Sequence, residues 1–123
     1  MLTTERLVLR TFRLDDLSHY AALNAQPEVF RYLGGEPMRR QDSDDIAAWA
    51  NDVYARERMG LLAVERRSDG RFLGMCGLHH QSSMPDDVEV AWRLAFEHWG
   101  NGYATEAATA WLDYGFGELE LPR

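Results

Sequence analysis

The 123-residue sequence predicts one α/β domain, residues 1–123, built on a mixed sheet. Three observations carry that reading. Strand-like runs at 5–12, 61–65, 71–78 and 87–96 are interleaved with runs of helical period. A glycine-rich turn, Gly100-Asn101-Gly102, separates the last of these strands from a helical run that reaches Phe116. Hydrophobic residues make up 46% of the chain, which is enough for a real core and argues against disorder.

The elements follow in chain order. Leu7 and Leu9 alternate with Val8 and Arg10 in a first strand. Asp15 is placed to cap a helix in which Leu17, Tyr20, Ala21 and Asn24 fall at helical spacing. Pro27 suits the first turn of a short second helix, stopped by Gly34-Gly35. Ser43 is the expected cap of a third helix, with Asp44 and Asp45 in its first turn. Its predicted buried stripe is Ile46, Trp49, Ala50 and Val53, and Gly60 ends it. Residues 61–65 and 71–78 form a hairpin around Ser68-Asp69-Gly70. The next strand carries Val88, Val90, Trp92, Leu94 and Phe96 on one face. The last helix buries Ala104, Ala107, Ala108, Trp111 and Gly115, and its small residues allow close approach to the sheet.

A glycine turn between a strand and a helix N-terminus suits a phosphate. Glycine lets backbone approach the ligand, and the first-turn N–H groups have no partner inside the helix. The helix dipole favours an anion at the same place. A tight connection with no ligand is the other reading of Gly-x-Gly taken alone. A P-loop is excluded because the chain contains no lysine. The dinucleotide fingerprint is excluded because Thr105 stands where its third glycine belongs.

The neighbouring residues narrow this. Glu89-Val90-Ala91-Trp92-Arg93-Leu94 followed by Trp99-Gly100-Asn101-Gly102-Tyr103-Ala104-Thr105-Glu106-Ala107 resembles the acetyl-CoA-binding segment of the GNAT acetyltransferases. Gly102 and Ala104 match the last two fixed positions of that superfamily's [Arg/Gln]-x-x-Gly-x-[Gly/Ala] pattern. Trp99 departs from the first. The runs Thr4 to Arg10, Asp15-Asp16-Leu17, Pro27-Glu28-Val29 and Phe72 to Leu78 follow in the order seen in the ribosomal-protein N-terminal acetyltransferase branch.

That resemblance implies the GNAT acyl-CoA N-acyltransferase fold and direct transfer of acetyl from acetyl-CoA, as cosubstrate, to a primary amine. The acceptor would be a protein N-terminus or a small amine. A non-catalytic acyl-CoA-binding or assembly module is the alternative. The resemblance makes Glu89 the general base. It assigns pantetheine and the thioester carbonyl to backbone groups of Arg93, Leu94 and Ala95. The pyrophosphate falls to Gly100, Asn101, Gly102, Tyr103, Ala104 and Thr105, and the acceptor pocket to the region of Phe30, Arg31 and Tyr32. Relatives continue past the position of Arg123 with another strand, a helix and two further strands. The resemblance therefore implies a C-terminally truncated chain, or one completed by a swapped homodimer, and it leaves the leaving-group acid unassigned.

Composition sets the remaining bounds. A net charge of −7 argues against nucleic acid and is compatible with a cationic amine. No run is long and apolar enough for a membrane span, and no signal-peptide core opens the chain, so a cytoplasmic location is expected. Cys76 is the single cysteine and reads as a buried, inert thiol. His79-His80 lacks a second ligand cluster and reads as strand-end histidines, so no metal site is expected.

Overall fold

Alternating apolar residues build the sheet. The computed structural model describes residues 1–31, 35–81 and 84–118, with backbone alone at 80, 81 and 84–88. Among these residues the order is β1 (Leu2–Thr3), β2 (Leu7–Arg10), a 3-10 turn (Leu14–Asp16), α1 (Leu17–Asn24) and α2 (Pro27–Phe30). Then come α3 (Arg40–Glu57), β3 (Gly60–Arg66), β4 (Phe72–Gln81), β5 (Met84–Leu94), a second 3-10 turn (Phe96–His98) and α4 (Tyr103–Gly117). The strands lie side by side as β1-β2-β3-β4-β5. Every described pairing is antiparallel, so the parallel component of a mixed sheet has no counterpart among the described residues.

The sheet is covered on both faces. On one, Leu7, Leu9, Leu62, Leu78 and Leu94 pack with Ala107 and Trp111 of α4. On the other, Met75 and Ala63 pack with Tyr20 and Leu23 of α1 and with Ala47 and Ala50 of α3. Cross-strand partners share a face. Cys76 opposite Trp92 and Leu78 opposite Val90 therefore belong to the α4 side. Met75 opposite Arg93 and His79 opposite Glu89 belong to the α1/α3 side.

Several local expectations shift. The first strand is confined to Leu7–Arg10, and the short β1, which the alternation did not signal, pairs with it. Asp16, not Asp15, stands at the N-cap of α1, and its side chain caps no α1 amide. Its carboxylate accepts the Arg13 backbone N–H at 2.7 Å and pairs with buried Arg10 at 2.6 Å. α3 begins at Arg40, before the expected cap Ser43, which lies inside it, fully buried. This earlier start puts Asp42, not Asp44 and Asp45, in the first turn. The buried stripe is Ser43, Ala47, Ala50 and Val53, which turns Trp49 outward to 56% exposure. Phe96 leaves the strand face because the chain turns at Ala95 into the second 3-10 turn. Trp92, expected to lie with its strand neighbours on one face, does so but at the rim, 56% exposed. Pro27 stands in the first turn of α2 as expected, whereas Gly34 lies outside the described residues. Burial pushes the Cys76 thiol up to about 12, consistent with an inert sulfur.

Candidate functional site

The glycine turn and the last residues of β5 enclose a groove of about 620 Å³. Trp92, Arg93 and Leu94 form one wall, and Gly100, Gly102, Tyr103, Ala104 and Thr105 form the other. Val29 of α2 and His98 close the end. Seven of the expected cofactor residues thus line one cavity, whereas Ala95 and Asn101 do not line it.

Two positive-φ glycines shape the loop wall. Gly100 has φ 81°, and Gly102, at the N-cap of α4, has φ 79°. A side chain at either position would strain the backbone, because left-handed geometry crowds a Cβ against the following carbonyl. At Gly100 no atom lies within 4 Å of where a Cβ would stand, so conformation rather than crowding requires glycine there. The 15-residue α4 thereby turns its unpaired N-terminal amides toward the groove.

The loop is held from three sides. The Arg6 guanidinium donates to Asn101 O at 3.0 Å, pairs with Glu106 at 2.7 Å and lies 4.5 Å over the Tyr103 ring. Thr4 Oγ1 also donates to the Glu106 carboxylate. The Asn101 side-chain amide donates to the carbonyls of His98 and Trp99 at 3.2 and 3.3 Å. Asn101 is therefore a staple within the loop. Trp99, the departure from the family pattern, donates its indole N–H to Leu94 O at 2.8 Å and packs edge-on against Phe96. It ties the loop to the end of β5.

Strand alternation decides which backbone groups of β5 reach the groove. The Ala95 N–H donates to Leu73 O at 3.0 Å, so the Leu73–Ala95 pair is hydrogen-bonded. In an antiparallel ladder the alternate residues face the same way. Arg93 and Ala95 therefore turn their backbone groups toward β4, while Trp92 and Leu94 turn theirs to the outer edge. Of the three residues expected to offer backbone donors, Leu94 has the outward geometry. Trp92 has it too and was not anticipated, although an i, i+2 reading of the strand would have found it.

Gly74 permits the close approach of β4 to β5 beside this edge. A Cβ there would stand 2.1 Å from Arg93 O and 2.7 Å from Leu94 Cα.

The Arg93 side chain goes to the opposite face. Its Nη1 donates to Asn24 Oδ1 at 2.8 Å and to the Tyr20 hydroxyl at 3.4 Å. Asn24 in turn donates to Ser43 Oγ at 3.1 Å. Burial pushes the Tyr20 phenol up, against the pull of Arg93, so it stays a neutral hydroxyl at neutral pH.

The residues expected to carry chemistry are not all brought together. Glu89 lies on the Arg93 face of β5, outside the groove lining, with His79 Nε2 3.5 Å from its carboxylate. Phe30 is half-buried and Arg31 exposed at the end of α2, next to Val29 of the groove. Tyr32 lies outside the described residues. His98 was not anticipated. It is 7% exposed, its Nε2 has no hydrogen-bond partner among the described residues, and burial lowers its pKa. Arg6 was visible in sequence only as part of the opening run, because its partners lie 95 to 100 residues away.

Comparison with known proteins identifies the frame. The model of the acetyltransferase (GNAT) domain matches residues 6–123. The uncharacterized protein YkkB of Bacillus subtilis is 37% identical over 125 residues, covering 98% of this chain and 70% of the relative. The crystal structure of an acetyltransferase from Agrobacterium tumefaciens superposes with a TM-score of 0.83 at 30% identity, over 98% of this chain and 69% of that one. A spermidine N-acetyltransferase from Vibrio cholerae, solved with CoA and spermine, shares the fold with a TM-score of 0.68 at 24% identity, over 96% and 68% of the two chains. The chain belongs to the GNAT acetyltransferase family. No helix among the described residues is long and apolar enough to cross a membrane.

Proposed function

We propose, from this family membership, that the chain is an N-acetyltransferase that takes acetyl-CoA in the groove between β5 and α4. The observation that carries the reading is the convergence of the α4 N-terminus, two positive-φ glycines and the outer edge of β5 on one cavity of about 620 Å³. The pyrophosphate is assigned to the N–H groups from Gly100 to Thr105, where the helix dipole favours negative charge. The pantetheine arm is assigned to the outward backbone groups of Trp92 and the outward N–H of Leu94, whose carbonyl accepts from the Trp99 indole. The Vibrio enzyme's complex with CoA supports a CoA ligand on this fold.

The reaction assigned is direct attack. The amine nitrogen forms a bond to the acetyl carbonyl carbon, the C–S bond breaks, and CoA leaves as a thiolate that takes up a proton. An α-amino group titrates near 7.7–8.0 and a lysine amine near about 10.4, so a base is needed most for the latter. Glu89 is assigned to accept the amine proton through water. Phe30 and Arg31, which follow Val29 of the groove lining in the chain, are assigned to the acceptor's approach to the groove rather than to the pocket that holds its body. The ribosomal-protein N-terminal acetyltransferase branch that the sequence resembles would acetylate a protein N-terminus, and small amines are the other acceptor class.

Two variants test the reading. Gly102→Val should abolish acetyl-CoA binding in a calorimetric titration, by straining the loop and filling the approach to the amides. Glu89→Gln should lower turnover at neutral pH by about 100-fold, the lower range for a lost general base, with acetyl-CoA binding unchanged. Undiminished turnover in Glu89→Gln would remove that residue from the chemistry. Undiminished binding in Gly102→Val would remove the loop.

A further inference from the structure

The opposite face of β5 carries a second cavity, of about 380 Å³, under α3. Ala91 is the small residue between Arg93 and Glu89 on this face of β5, and Leu61 fills the space over its cross-strand partner Gly77. The hollow is floored by Leu61, Met75 and Ala91 and roofed by Val53. Trp49 and Glu57, two turns apart on α3, form its rim. Trp49 is the side chain that the helix turns outward, 56% exposed, against its own hydrophobicity. Glu89 adds a second carboxylate through its contact with His79, which lines the cavity. Arg93 borders both this cavity and the groove, so the two meet across a single strand.

We propose that this second cavity is the acceptor pocket and that it takes a small primary amine carried on an apolar, aromatic body. The proposal rests on the acetyl-transfer reading and names its substrate class. The apolar floor and the exposed indole receive the body, and Glu57 and Glu89 attract the ammonium group. A cation beside an indole and carboxylates gains from both. Glu89, 3.5 Å from His79 of the lining, then takes the proton through water, as assigned above. The volume favours a small amine over a protein N-terminus, because it lies at the low end of the range, about 300–1,000 Å³, typical of small-molecule sites.

The test uses 2-phenylethylamine as the probe, with 2-phenylethanol, butylamine and a serine-led peptide as controls. Direct binding is measured by calorimetry with and without acetyl-CoA, and transfer by thiol release. Phenylethylamine should bind and be acetylated in preference to butylamine and the peptide. Trp49→Ala should weaken its binding about tenfold, and Trp49→Phe should restore most of that. Glu57→Gln should weaken it about threefold while leaving 2-phenylethanol unaffected. Both positions are exposed, so the variants should fold, and acetyl-CoA titrations should match the parent. Amine binding that ignores both substitutions, or acetylation confined to the peptide, would overturn the proposal. Amine binding with the expected sensitivities in a chain that takes no acetyl-CoA would uphold the pocket and sink the cosubstrate reading instead.

Discussion

The two faces of the sheet are packed on different principles. The α4 face is an apolar layer in which fully buried Trp111 shares one cluster with leucines of β2–β4 and spends its one N–H on Cys76 O at 2.9 Å. The α1/α3 face has an apolar layer of its own, but a polar chain runs through it from Ser43 to Asn24 to Arg93. Apolar burial is strong and non-directional, so it stabilises without choosing an orientation. Buried hydrogen bonds contribute less net energy but fix angles, and they are costly when left half-made. The α4 face is therefore expected to supply most of the stability. The α1/α3 face positions the side chain that borders both cavities.

The sharpest way to break this contrast is Trp111→Ala. It should cost about 3–5 kcal/mol, because the lost aromatic leaves a cavity that the leucines can fill only in part. Chemical denaturation measures it, and a cost under about 1 kcal/mol would mean that this layer is not the main source of stability. Asn24→Ala comes next, at about 1–3 kcal/mol, the penalty for leaving buried polar partners unsatisfied. Its diagnostic is the split between stability and activity. Acetyl transfer should fall about tenfold as Arg93 loses its anchor, an effect of misplacement rather than unfolding. Transfer that simply tracks the folded fraction would make the polar chain structural only.

The smallest effect sharpens the comparison at the groove's end. Burial lowers the His98 pKa below its ordinary 6.5, so below that pH the unfolded chain binds the extra proton first. Stability should therefore decline as pH falls from about 6.5 toward the folded-state value. His98→Phe should flatten that acid limb. An unchanged limb would move the effect to other groups, such as Asp16, whose own transition lies lower. Burial alone would raise that carboxyl, but Arg10 and the Arg13 amide hold it below its usual value.

Local signals carried much of the fold and part of the site. Alternation located β2–β5 to within a few residues, and the hairpin at Ser68-Asp69-Gly70 forms as read, with Gly70 at φ 71°. The glycine turn and the start of α4 were legible because positive φ and an open helix end are properties of a few adjacent residues. Helix starts were less legible. Ser43 is a good cap in isolation, but a buried partner, Asn24, holds it inside α3. Trp49 falls at helical spacing with Ile46, Ala50 and Val53, and the phase set by buried Ser43, Ala47 and Ala50 rotates that stripe so that the indole points outward. The outward pair Trp92 and Leu94 needed the ladder's hydrogen-bonding phase, which depends on which residue of β4 each one meets.

Composition, periodicity and the Trp99–Ala107 run by themselves determined an α/β fold with a glycine turn at the start of its last helix. Each of these follows from neighbours in the chain, where spacing alone sets the geometry. The tertiary structure decided what that turn faces. It brought Arg6 across 95 residues to Asn101, joined α1 to β5 through Asn24 and Arg93, and turned the small Ala91 toward α3, where a second cavity opens. Those contacts come from strand register and helix phase acting between distant segments. A one-residue shift of β5 would turn Glu89, Ala91 and Arg93 to the other face and leave the same sequence without either arrangement.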